Sequence, residues 1–153
     1  MTHPLTVPLH VFHEDLFRDL PASTATDFAA IESRVFYAGH TPLFDGDQTA
    51  AALFVIHSGS VVLSHSGLGA GPAGSTTSFA GEILGLSATV AGEPYQASAW
   101  TLELSEIGLI SRDDLLDFLN AHGDFAFGLV RILSDGLANA LDHLRALPPA
   151  AEA

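Results

Sequence analysis

Phe79-Ala-Gly-Glu-Ile-Leu-Gly-Leu86, followed eight residues on by Pro94-Tyr-Gln-Ala-Ser-Ala99, is the stretch that decides the fold. A Gly-Glu pair opens a short apolar turn, and a small-residue strand then leads into Trp100. Two backbone-exposing elements at this spacing suit closure over one small anion. The segments on either side show what they are built into.

Upstream, Val35-Phe-Tyr37 ends at Gly39, Pro42-Leu-Phe44 at Asp45-Gly-Asp47, Leu53-Phe-Val-Ile56 at Ser58-Gly59, and Val61-Val-Leu63 at Ser66-Gly67. Short β-rich runs punctuated by glycine turns predict a small antiparallel sandwich or barrel. Gly67–Ser78, with Gly69, Gly71, Pro72 and Gly74, reads as a loop. Ala97–Leu104 and Ile107–Ser111 supply two further strands.

Helices flank this β region. Residues 1–12 read as an extended arm, His13–Leu20 as a helical turn or two stopped by Pro21, and Asp27–Ile31 as a second short helix capped by Ser23 or Thr24. After Ser111, Leu115, Leu116, Phe118 and Leu119 recur at helical spacing behind Asp113 and Asp114, which suit a helix N-terminus. Gly123 breaks that helix, and a long one over 124–147 ends at Pro148-Pro149. In it Val130, Leu133, Leu137, Ala140, Leu144 and Leu147 are spaced by 3, 4, 3, 4 and 3, an a/d seam. A single helix cannot bury such a seam. Either the β region covers it or a second copy does, and a parallel homodimer is the leading expectation.

Composition narrows the function. The 153 residues suit one domain, here 1–153, with the β region over about 34–111. Five arginines, no lysine and 18 acidic residues give a net charge of −13. The arginines (Arg18, Arg34, Arg112, Arg131 and Arg145) are scattered singly, which argues against nucleic-acid phosphates and anionic membrane surfaces as partners. The absence of cysteine excludes disulfides and thiolate chemistry. With neither a signal-peptide pattern nor a membrane-length apolar run, the chain is expected to be soluble and cytoplasmic.

The eight histidines form no recognisable metal set. His57 and His65 are eight apart, but a glycine turn intervenes and no clustered acid completes the site. His10 and His13, with His122 or His143, form a minor candidate set of haem ligands. No nucleophile motif occurs, and Gly67-Leu-Gly-Ala-Gly71 lacks the lysine of a phosphate-binding loop. Glu82 and Glu93 flank the opening turn as a conceivable acid–base pair. A non-enzyme is expected.

The order of elements resembles the cyclic-nucleotide-binding sensory domain of the catabolite activator/FNR superfamily. The resemblance is carried by Tyr37-Ala-Gly39, Phe44-Asp-Gly-Asp47, Leu53-Phe-Val-Ile-His-Ser-Gly-Ser-Val61, Phe79–Leu86, Gly92-Glu-Pro94, Ala97-Ser-Ala99 and Glu106-Ile-Gly-Leu-Ile110. It implies a mainly β fold with flanking helices: a double-stranded β-helix (β-roll, jelly roll) followed by a long C-terminal dimerisation helix. It also implies that the opening stretch is a phosphate-binding cassette. There the helix after Gly-Glu offers backbone N–H groups, the Glu accepts from a ribose hydroxyl, and an Arg pairs with the phosphate.

Carried over by position, the cassette comprises Gly81, Glu82, Ile83 and Leu84, with Tyr95, Gln96 and Ala97 on the facing strand. The Arg position falls on Tyr95 and the next on Gln96, and neither is charged. The preceding strand has Thr77 where the family usually has Gly, and the two hydroxyl positions that read adenine fall on Ala140 and Leu141. The resemblance thus implies a sensory or regulatory module with a degenerate cassette, not an ordinary cAMP receptor. The alternatives are a ligand-free dimerisation scaffold and a haem or other small-molecule sensor. The Met1 start and the tail to Ala153 read as natural ends, which gives the expectation of a stand-alone domain without a DNA reader.

Overall fold

The computed structural model describes residues 11–64 and 75–133. In chain order the elements are β1 (Val11–Phe12), α1 (His13–Phe17), α2 (Ala22–Ala30), β2 (Ser33–Tyr37), β3 (Pro42–Phe44), β4 (Ala52–Ser58), β5 (Ser60–Ser64) and β6 (Ser75–Phe79). There follow β7 (Glu82–Leu84), α3 (Leu86–Ala91), β8 (Ser98–Thr101), β9 (Ser105–Ser111) and α4 (Arg112–Ala121). A last helix, α5, runs over 123–133.

β4 is the spine. Its Leu53, Phe54, Val55 and Ile56 are all buried, so both of its faces need cover. It pairs antiparallel with β7 and β9 inside a five-stranded sheet of order β1-β7-β4-β9-β2. A second sheet, β3-β8-β5-β6, packs against one face. Between the sheets lie Phe54, Ile56, Val61, Leu84, Ala99 and Ile107. The chain passes from one sheet to the other at Gly59, where φ is +91° and a Cβ would meet the Ser105 side chain. Only glycine tolerates both conditions.

The opposite face of the five-stranded sheet carries Leu53, Val55, Ile83 and Ile110, and the helices cover it. Phe28 of α2 and Phe125 of α5 are fully buried there, with ring centroids 5.5 Å apart. Each such side chain stabilises the fold by about 1.5–3 kcal/mol. Ser111 caps α4 by accepting from the Asp114 N–H at 3.1 Å.

Three sequence expectations need correction. Ser75–Phe79 is a strand within the predicted loop, paired with β5 from Ser60↔Phe79 to Ser64↔Ser75. Its Ser-Thr-Thr-Ser composition carries no apolar alternation, although β-branched threonine suits a strand. The second helix runs from Ala22 to Ala30, with Pro21 at its N-cap and no side-chain cap. The first helix stops at Phe17. The remainder of the predicted long helix lies outside the described residues, and with it Leu137, Ala140, Leu144 and Leu147.

Candidate ligand pocket

The opening stretch folds as strand, turn and helix. Where the resemblance implies a helix after Gly81-Glu82, Glu82–Leu84 instead forms β7, held between β1 and β4. The chain then turns at Gly85, with φ at +75°, and only there does α3 begin. Three consecutive apolar or long side chains that can pair on both edges favour a strand until a left-handed residue breaks it. Gly81 also has a positive φ, and its backbone is tied on both sides. Its N–H donates to the Ile56 carbonyl and its carbonyl accepts from the His13 N–H, each at 2.8 Å.

At its other end α3 stops at Gly92, again left-handed. Arg112 closes this end: its Nε donates to the Thr89 carbonyl at 2.9 Å, and Nη2 reaches the Val90 carbonyl at 3.4 Å. A cation at a helix C-terminus is favourable in itself. This arginine is therefore engaged as a cap and faces no ligand.

Tyr95 is a core residue. It is 4% exposed, stacks on Phe44 with centroids 3.9 Å apart, and donates its hydroxyl to the Ala52 carbonyl at 2.5 Å. Burial pushes the phenol pKa up. The segment that carries it is anchored by hydrogen bonds from Tyr95 N–H to Gln48 carbonyl and from Ala50 N–H to Glu93 carbonyl. Gln96, next in sequence, is exposed.

These elements surround a cavity of about 110 Å³. Of the seven expected site residues, Glu82, Ile83, Leu84, Tyr95, Gln96 and Ala97 line it, whereas Gly81 does not. Ser78, Gly85, Leu86, Ser87 and Ala88 line it as well. Sequence reasoning missed these because it placed the helix one turn early and read Ser78 as loop. No arginine, lysine or histidine lines the cavity among the described residues. Arg18 pairs with Asp15 and Arg34 with Glu106, both away from the cavity. Glu82 is 8% exposed and Ser78 is fully buried.

The histidines lie elsewhere. His57 pairs with Glu32 at 2.5 Å beside Gly108, His13 packs on Phe17 and Phe28, and His122 stacks on Phe118. His10, His65 and His143 fall outside the described residues. Among the described residues no group of three or more His, Cys, Asp or Glu is placed to hold a metal ion. Glu93 does not line the cavity that Glu82 faces.

The family model described as "Cyclic nucleotide-binding domain" matches residues 33–122, which include β2 to β9 and all of the pocket lining but Val11. The chain belongs to the cyclic nucleotide-binding domain family.

This family's β-roll is also the fold of solved structures that resemble the chain. The catabolite activator protein of Thermus thermophilus superposes with a TM-score of 0.75 at 24% identity, over 86% of this chain and 62% of that one. The N-terminal domain of a transcriptional regulator from Streptomyces coelicolor gives 0.69 at 23% identity, covering 86% and 92% of the two chains. The regulatory domain of Toxoplasma gondii PKA, crystallised with cAMP, gives 0.57 at 16% identity, covering 69% and 39%. No curated protein matches the chain. The chain thus spans less than two thirds of the Thermus protein's length. In this family the domain is a regulatory ligand-binding module. No described helix is long and apolar enough to cross a membrane.

Proposed function

We propose that this cyclic nucleotide-binding domain is a non-catalytic sensory or regulatory module whose cassette has lost its charged half. On this reading it is not an ordinary cAMP receptor. The observation that carries the reading is Tyr95. At the position of the family's phosphate-pairing arginine stands a buried aromatic, hydrogen-bonded to Ala52 and stacked on Phe44. No cation replaces it among the described cavity-lining residues. A charge-assisted hydrogen bond is worth about 1.5–3 kcal/mol, so its loss weakens a cyclic phosphate by one to two decades. Isothermal titration with cAMP and cGMP tests this. Binding at micromolar affinity or tighter would show that the missing guanidinium does not matter.

The cavity retains its space despite Tyr95, which favours ligand sensing over a ligand-free scaffold. Output is assigned to α5. Phe127 and Val130 are 70% and 61% exposed, whereas Phe125 and Leu129 are buried against the sheet and Leu133 packs at the edge of the same cluster. One face of α5 is thus taken by the core, and the exposed face supports the single-domain homodimer reading. Light scattering at micromolar concentration checks it, and a monomeric mass would refute it.

A further inference from the structure

We propose that the cavity takes a small uncharged molecule bearing neighbouring hydroxyl groups, with Ser78 as its buried anchor. The proposal rests on the ligand-sensing reading above and names the chemistry of the ligand.

Ser78 carries the argument. It is fully buried, it lines the cavity, and its Oγ has no hydrogen-bond partner. Its neighbours on β6 do not explain it, since the strand needs only its backbone to pair with Val61. A hydroxyl stripped of water without a replacement partner is a standing cost, which a bound polar group relieves. At the exposed end of the cavity stands Gln96, whose amide both donates and accepts. A serine hydroxyl does the same. Two neutral groups of this kind match a ligand hydroxyl, which also does both. An ammonium only donates, and a phosphate chiefly accepts.

Charge and size agree. The lining also includes Leu84, Leu86 and Ala88, and it offers no cation among the described residues. A charge desolvated there is uncompensated. Glu82 is already engaged within the protein, so it is not held in reserve for an incoming cation. The volume of about 110 Å³ is smaller than the roughly 150 Å³ known to hold benzene, so the enclosed group has on the order of six non-hydrogen atoms or fewer.

The test compares three molecules of similar size by amide-resolved NMR: glycerol, glycerate and aminopropanediol. Saturable shifts at Ser78, Gly85–Ala88 and Gln96 are expected with glycerol, at an affinity about tenfold or more above either charged analogue. Ser78→Ala, checked for folding by circular dichroism, is expected to weaken glycerol about tenfold. If that variant does not fold, the exposed Gln96→Ala provides the same readout. The proposal is overturned by tighter binding of either charged analogue, by Ser78→Ala or its substitute leaving glycerol affinity unchanged, or by no saturable shift with any of the three. A cAMP titration of the same sample separates the two readings. Tight cAMP binding removes both, whereas aminopropanediol bound in the cavity removes this one alone.

Discussion

The ring of Tyr95 fills the space that a side chain at position 85 would need: a Cβ on Gly85 would lie 2.8 Å from its Cε1. Gly85 also has φ at +75°, so the turn into α3 and the inward tyrosine depend on each other. Gly85→Ala is expected to cost about 2–3 kcal/mol, combining a left-handed alanine with overpacking. Urea unfolding measures it, and a loss within experimental error would mean that the turn and the ring are independent.

An arginine can be introduced at either of two positions, with opposite outcomes. Tyr95→Arg puts a charge between Phe44 and the Ala52 backbone and is expected to lose about 3 kcal/mol or more. Gln96→Arg sits at the exposed end of the cavity, leaves stability within about 0.5 kcal/mol, and raises cAMP affinity roughly ten- to hundredfold. Calorimetry of both variants decides which position governs phosphate recognition.

Gly108 is needed for a reason unrelated to the cavity. A Cβ there would overlap the Glu32 carboxylate, and it would lie 3.0 Å from His57 Nε2. Because the Glu32 side chain is only 2% exposed, it has little room to withdraw. Gly108→Ala is expected to destabilise by about 3 kcal/mol. Thermal unfolding beside a control such as Gly123→Ala, where a Cβ meets nothing within 4 Å, separates this clash from a general effect of losing glycine.

The pKa values of two histidines are shifted in opposite directions. His122 has its pKa raised above 6.5, chiefly by the hydrogen bond to Asp27 at 3.1 Å, and its other ring nitrogen faces the Phe118 carbonyl. His13 is lowered below 6.5, chiefly by burial. The His122 contribution to stability is therefore fully present below pH 6.5 and is lost as pH rises through the folded value. For His13 the unfolded chain takes up its proton first, so stability falls as pH drops from 6.5 through the folded value. NMR titration of the ring protons should give midpoints on either side of 6.5. Asp27→Asn should return His122 towards 6.5 and leave His13 unchanged; coincident midpoints in the parent protein would refute the assignment.

Much of the β-roll was legible because its strands are apolar and its turns are glycines with a reason to be glycine, as at Gly59. β6 was not, because a strand of Ser and Thr has no hydropathy period to read. The cassette was legible in position but not in direction. Aligning Tyr95 with an arginine gives the identity of the substituent and nothing about where its ring points. That direction is set by bare backbone at Gly85, by the Phe44 ring and by the Ala52 carbonyl, which come from three separate segments. Similarly, Gly-Glu marks the right neighbourhood, but whether the next residues extend or coil depends on β1 and β4 flanking them.

The five-stranded sheet is a partition with a different tenant on each side. Leu84 belongs to the cluster between the sheets and lines the cavity, whereas Val55 on the adjacent strand β4 belongs with the aromatic cluster of Phe28, Phe118 and Phe125. Occupancy of one compartment is therefore open to observation from the other. Ring-current shifts of Leu53 and Val55, neither of which lines the cavity, become a remote gauge of whether the cavity is filled.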